Sequence, residues 1–321
     1  GRFGIVDVIA GISVGLVLVP QSMAYAALAG LSPVHGLYAA ALAPIAAAFF
    51  ASSPYLQSGP VAMTSVLSFG ALSAIAIPLS EGYAALAALL AIVVGVVRVV
   101  FGLLRAGFVA DLMSQPITMG FTRAAGLLII GSQLPKFVGA NAPVSGIIES
   151  STWTLFHPNA WSIESCAIGV ATLAVIILGR RIHTLFPGVL IAVAAGIVYS
   201  VSSGYTGAVI GDVPAVFPSL SIDLPWSSLP HLIFPGVVIA LVGFAEPAAI
   251  ARTMATQTRT RWSPDRELIS QGAANLSAGL VGGFPVGGSF SRTLINRGAG
   301  ARSRWSGLIT GVFVLSVLPF A

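Results

Sequence analysis

Charge is scarce in these 321 residues: 8% are Asp, Glu, Lys or Arg, whereas 56% are apolar and mean hydropathy is +0.95. A soluble domain carries charge on about a quarter of its residues, so an ordinary water-soluble fold is excluded. Cysteine is nearly missing too. The lone Cys166 rules out an internal disulfide and a cysteine metal cluster, and is read as a small apolar residue in a helix. No HExxH, CxxC or Gly-x-Ser-x-Gly pattern occurs, and His35, His157, His183 and His231 fall at span edges or in loops. Metallo- and serine-hydrolase chemistry therefore have no footing, the chain is not read as an enzyme, and no cofactor or metal is expected. The net charge of +5 would hint at nucleic acid in a soluble protein. In a membrane chain basic residues are read by side, and no nucleic-acid partner is expected.

What the sequence does contain is apolar runs, recurring near the ~20 residues that cross a bilayer. A signal peptide would be one short run near the start, and no cleavable segment is expected, although Gly1 is not read as the natural start. The runs are Ile5 to Leu28, Gly36 to Phe50, a half-span Val61 to Ile77, Tyr83 to Leu104, Ile117 to Gln133 and Cys166 to Leu178. They continue with Pro187 to Val201, Phe234 to Ile250, Leu268 to Val281, a half-span Phe290 to Asn296, and Trp305 to Phe320. With Arg2 inside, the inner loops take Arg98 and Arg105, Arg180 and Arg181, Arg252 to Arg266, and Arg297 to Arg304. The outer loops take Glu81, Glu149, Asp212 and Asp223, with Lys136 the one base. This alternation predicts a multi-pass protein of the inner (plasma) membrane with a cytoplasmic N-terminus. The outer stretches Gly139 to Ser165 and Gly204 to Leu232, rich in Pro, Ser and Trp, read as irregular or interfacial loops.

A repeat emerges from the polar interruptions. Gln21 follows Pro20 within a span and is followed by a second span, Pro54, and the break Gln57 to Pro60. Glu246 precedes Pro247 and is followed by a span, Pro285, and the break Gly287 to Ser291. Seven spans separate the copies, an odd number, so they insert with opposite topology. Paired interruptions in inverted halves point to a secondary transporter's binding site.

Each break should begin a half-helix. Pro60 suits a first helical position, after an extended Tyr55 to Gly59, and leaves the amides of Val61, Ala62 and Met63 unpaired. In the second copy Phe284 to Gly288 should be extended, with Ser289 or Ser291 as the N-cap and free amides near Phe290, Ser291 and Arg292. Arg292 in a first turn opposes the helix dipole, which suggests an anion between them. Each terminus counts as roughly +0.5 charge, so two termini and Arg292 total about +2. At ~5 Å and an effective dielectric of ~20 each unit pair contributes roughly 3 kcal/mol. That suffices for a monoanion without Arg292 and a dianion with it. The competing reading of Arg292 is a snorkelling or carbonyl-paired side chain near the inner face. Glu246 is read as an intramembrane acid and candidate proton carrier, the alternative being a structural carboxylate paired with Arg252 or another base. Gln21 and Tyr25, four apart on one helical face, could supply an amide donor and an aromatic wall, or merely pack. Gly95, Gly102 and Gly107 read as close-packing positions.

The runs VPQSMAYAALAGLSPVHGLYAA (Val19 to Ala40), SGPVAMTS and FPVGGSFSRT resemble the SulP family, the sulfate-permease group of anion transporters, and the likeness, to a prokaryotic member, covers essentially the whole chain. The resemblance implies an all-α fold of fourteen segments in two inverted repeats of seven, shared with the uracil permease, with two half-helices preceded by short extended strands. It implies a core domain from residues 1–105 and 231–321 and a gate domain from 106–230, the core moving in an elevator-like cycle. Gln21, Tyr25, Val61, Ala62, Phe290, Ser291 and Arg292 would line the anion site, and Glu246 would match a cation-coupling acid. In the sodium-coupled bicarbonate members a hydroxyl residue lies four positions after that acid. Here Ile250 offers no oxygen ligand, which favours proton coupling. The chain departs from the family pattern by stopping about three spans short and without the cytoplasmic STAS domain. The expected partners are a small anion, a proton, the lipid bilayer and, through the missing C-terminal part, a second copy. Sulfate or a C4-dicarboxylate such as fumarate or succinate is favoured, in symport. An anion channel, a chloride/bicarbonate exchanger or a nucleobase transporter on the same scaffold is the alternative.

Overall fold

The computed structural model describes residues 3–108, 115–144, 146–182, 186, 188–205, 207, 209, 217–220 and 223–320. The expectations for His183, Pro187 and Asp212 fall outside the described residues. Two compact units emerge, one from Gly1–Gly120 with Val213–Ala321, the other from Phe121–Asp212.

The first unit holds α1 (Ile5–Leu28), α2 (Pro33–Phe50), β1 (Gln57–Gly59), α3 (Ala62–Leu72) and α4 (Glu81–Leu103). The second unit holds α5 (Gln115–Val138, its first turns lying before the boundary), α6 (Ile147–Phe156), α7 (Ile163–Ile182) and α8 (Gly188–Ser203). The chain then returns to the first unit for α9 (Leu229–Thr258), α10 (Pro264–Leu280), β2 (Gly287–Ser289), α11 (Phe290–Gly298) and α12 (Trp305–Val317). By length and composition α1, α2, α4 and α9 can each cross a membrane. The protein is a multi-pass membrane protein.

Within the first unit the order helix, helix, strand, half-helix, helix occurs twice, so α1, α2, β1, α3 and α4 correspond to α9, α10, β2, α11 and α12. Packing repeats with the order: α4 lies on α10 as α12 lies on α2, α9 touches α4 as α1 touches α12, and α9 meets α3 as α1 meets α11. The pair α2 and α10 sits at the centre and maps onto itself. Such a pattern is what a two-fold pseudo-symmetry produces. Glycine permits the close approach of α4 to α10: a Cβ on Gly95 would lie 2.8 Å from the Leu276 amide nitrogen of α10, and one on Gly102 2.8 Å from the Asp265 carbonyl of the same helix.

Several boundaries move. α3 ends at Leu72 rather than Ile77, α9 begins at Leu229 rather than Phe234, and α10 begins at Pro264 rather than Leu268. The stretch after Gly139, read as an irregular or interfacial outer loop, contains the helix α6. The largest correction concerns Arg98. Counted as an inner-loop charge, it lies within α4 and is fully buried. The charge rule reports which side a residue is nearer, and cannot tell a loop from a side chain one or two turns inside the helix.

Buried acids also secure the turns. Asp7 accepts from the amides of Arg302 and Ser303 at 2.8 and 2.9 Å. Glu267 accepts from those of Ser52 and Ser53 at 3.2 and 2.9 Å and from the Trp262 indole. Asp7 and Glu267 thus join Glu246 as acids held within helices.

Candidate functional site

The two interruptions meet. β1 and β2 pair antiparallel, with Gln57 opposite Ser289, Ser58 opposite Gly288 and Gly59 opposite Gly287. Because the ribbon is antiparallel, the chain leaves it from opposite ends, α3 beyond Gly59 and α11 beyond Ser289. Gly59 has φ +151, a conformation reserved in practice for glycine.

Extended backbone surrounded by apolar helices needs partners for its polar groups. They come from polar side chains on the helices alongside. Asn275 on α10 grips Val286, its Nδ2 donating to the carbonyl at 3.0 Å and its Oδ1 accepting from the amide at 2.9 Å. One turn earlier Gln271 donates to Ser58 Oγ at 2.7 Å. Gln57 donates to Ser306 Oγ at 3.3 Å, and Asn296 donates to the Tyr55 carbonyl at 2.9 Å. Sequence reasoning passed over this set. A signal existed: Glu267, Gln271 and Asn275 recur every four residues, a polar stripe on one face of the helix.

The half-helix starts then differ from expectation in two details. Val61 is the N-cap of α3, so Pro60 precedes the cap instead of opening the helix, and no side chain caps the first amides. At α11 the cap is Ser289, whose Oγ accepts from the Arg292 amide at 3.4 Å. That amide is engaged, leaving those of Phe290 and Ser291 as the uncapped pair. Both of these residues are exposed, Phe290 by 49%.

Arg292 is fully buried and turns inward. Its Nη2 donates to the Pro60 carbonyl at 2.8 Å and its Nη1 to Gln21 Oε1 at 3.2 Å, while Nε has no partner among the described residues. The guanidinium thus joins α1, the approach to α3, and α11. It is carbonyl-paired as the bland reading held, yet does not snorkel. Tyr25 and Glu246 both lie close enough to interact electrostatically with it. Glu246 is half-buried on α9, and Arg252 stacks on the Trp262 ring at 5.6 Å. Gln21, Tyr25, Val61, Ala62, Glu246, Phe290, Ser291 and Arg292 thus gather around one ribbon in one unit.

Chemically the arrangement presents amide donors from two helix starts and a guanidinium with an unused donor, and it offers an anion both charge and hydrogen bonds. No cluster of three or more metal-ligating side chains occurs among the described residues. Two repeats of helix, helix, strand, half-helix and helix, joined by a ribbon of one strand from each, define the class by fold, an internally repeated multi-pass membrane protein. Comparison with known proteins makes the class specific. The sulfate permease family profile matches residues 5–321, and the chain belongs to that family. It is 34% identical over 327 residues to probable sulfate transporter 4.2 of Arabidopsis thaliana, covering 98% of this chain and 48% of that protein. It is 34% identical over 325 residues to a probable sulfate transporter of Mycobacterium tuberculosis, covering 98% and 57%. The chain spans about half the length of these relatives. Its fold matches SLC26A9 with a TM-score of 0.90 at 23% identity, covering 98% of this chain and 53% of that one. The transmembrane domain of the cyanobacterial bicarbonate transporter BicA matches at 0.88 and 23%, with coverage of 98% and 82%.

Proposed function

We propose that the protein is a secondary active transporter of small oxyanions, with sulfate as the favoured substrate and a C4-dicarboxylate next. The observation that carries this is the β1–β2 ribbon, from which the uncapped start of α3 and the Ser289-capped start of α11 both lead off, with the buried Arg292 of α11 reaching back to Pro60. Two helix starts and one guanidinium total about +2, which matches a dianion. The relatives' names, probable sulfate transporters, favour the same substrate. The proposed binding residues are Gln21, Tyr25, Val61, Ala62, Phe290, Ser291 and Arg292.

Glu246 is proposed as the proton carrier. While ionised it competes with an incoming anion for the field of Arg292; once protonated it releases that field, so proton and anion move together. Ile250, buried four residues further along α9, supplies no oxygen for a sodium ion. Residues 1–105 with 231–321 are proposed as the moving core and 106–230 as the gate of an elevator-type cycle, in the plasma membrane with the N-terminus inside.

The test is uptake into proteoliposomes of sulfate, succinate, bicarbonate and chloride under an imposed pH gradient. Sulfate uptake should saturate, show trans-stimulation, and accelerate about tenfold when the outside is acidified. Glu246→Gln should remove the acceleration and keep sulfate counterflow. Large unitary currents without trans-stimulation would establish a channel instead, and undiminished proton co-movement in Glu246→Gln would reject the coupling role.

A further inference from the structure

A second arginine lies buried beside the ribbon. Arg98 on α4 is fully buried, and its three hydrogen bonds all go to backbone carbonyls: Nε to Ala240 at 3.1 Å, Nη2 to Ile239 at 3.3 Å and Nη1 to Val286 at 3.0 Å. No carboxylate is among these partners. Val286 immediately precedes β2, and Ile239 and Ala240 belong to α9, the helix that carries Glu246. Arg98 Nη2 and Thr64, in the first turn of α3, flank the same glycine, Gly243 of α9. A Cβ on Gly243 would stand 2.8 Å from Arg98 Nη2 and 3.4 Å from Thr64 Cγ2, so a larger residue there would displace the guanidinium.

An arginine in a membrane interior is costly, and carbonyl dipoles solvate its charge without cancelling it. If Arg98 served only to tie α4 to α9, a neutral donor would do so at lower cost. What a neutral donor cannot supply is a fixed charge behind the start of α3, the half-helix that has no charged residue of its own. We propose that Arg98 is a specificity-determining residue: its charge acts through the low-dielectric interior on the anion site and favours doubly over singly charged anions. This deepens the transport reading and rests on it. At roughly 10 Å and an effective dielectric of ~20, one unit charge changes binding by about tenfold per anion charge.

Half-saturation for sulfate and for chloride, measured on the same purified full chain in proteoliposomes, isolates the effect. Arg98→Gln should weaken sulfate about tenfold more than chloride, whereas Arg98→Lys, which keeps the charge but not the three-way grip, should leave the sulfate-to-chloride ratio within about threefold of the unaltered protein. A natively melting Arg98→Gln with an unchanged ratio overturns the proposal. So does an equal change of ratio in both variants, since that would trace the effect to geometry. Should Arg98→Gln not fold, Arg98→Lys decides alone: a preserved ratio supports the role of charge and a collapsed ratio refutes it. Failure of the unaltered protein to take up either anion would strike the site reading itself, a separate result.

Discussion

The two half-helices occupy equivalent places in the repeat and do different work. α3 opens at Val61 with no side-chain cap, and its first polar side chains turn back on the helix: Thr64 and Ser65 donate to the Val61 carbonyl, Ser68 to that of Thr64. α11 opens at Ser289 with a cap, carries Arg292 in its first turn, and exposes Phe290 and Ser291. One start is neutral and bare, the other charged and tied down. The scaffold's symmetry puts one start at each end of a single ribbon, and the break in that symmetry gives only one of them a buried guanidinium. The two buried guanidiniums also differ in place: Arg292 reaches from α11 to the approach of α3, and Arg98 reaches from α4 to α9 and to the Val286 carbonyl just before β2.

The sharpest way to break the comparison is to remove the charge that only α11 carries. Arg292→Ala should reduce saturable sulfate uptake by about a hundredfold or more, since it deletes the guanidinium and leaves the Pro60 carbonyl without that donor. Arg292→Lys should recover part of the loss as a point charge without the fork. Radiolabelled sulfate uptake measures both, and activity in Arg292→Ala close to that of the unaltered protein would show that the dipoles suffice alone.

The support under the ribbon comes next. Asn275→Ala leaves both polar groups of Val286 without the clamp, and Arg98 still reaches the carbonyl but not the amide. An orphaned buried amide costs about 1–3 kcal/mol, so thermal unfolding in detergent should fall by several degrees. Asn275→Asp separates donor from acceptor: the Oδ1 that receives the Val286 amide survives, and the Nδ2 bond does not. Its melting temperature should lie between the two.

Much of this architecture was legible locally. The glycines and prolines at 54–60 and 282–288 forbid continuous helix by their own backbone chemistry, so the breaks, the extended entries and the cap at Ser289 follow from short windows of sequence. The start of α3 lies two residues beyond Pro60 because the ribbon pairing of Gly59 with Gly287, a contact across more than two hundred positions, holds Val61 extended. Arg98 falls both in the apolar run Tyr83 to Leu104 and in the inner-loop charge count; the structure keeps the run, and neither signal carries the burial of its side chain. The inward turn of Arg292 was likewise invisible, because its acceptors Gln21 and Pro60 lie on other elements. Local chemistry marks where a chain must break, and only tertiary pairing decides what each break faces.

The smallest effect is the most discriminating, because it makes α3 resemble α11. Val61→Thr is nearly isosteric and places a hydroxyl at a cap position that now has none. A threonine cap contributes about 1 kcal/mol to a helix start, and loss of the buried methyl's apolar contacts costs a similar amount, so the melting temperature should hardly move. The hydroxyl would occupy one of the amides proposed to receive the anion. Sulfate half-saturation should therefore rise a few-fold while stability stays level, and the cost of Val61→Thr should vanish for any process that does not use the α3 start. An unchanged half-saturation in a protein that melts normally would mean that the bare amides of α3 are not in use. The whole burden of binding would then fall on α11 and Arg292, and the two half-helices would differ in function as well as in charge.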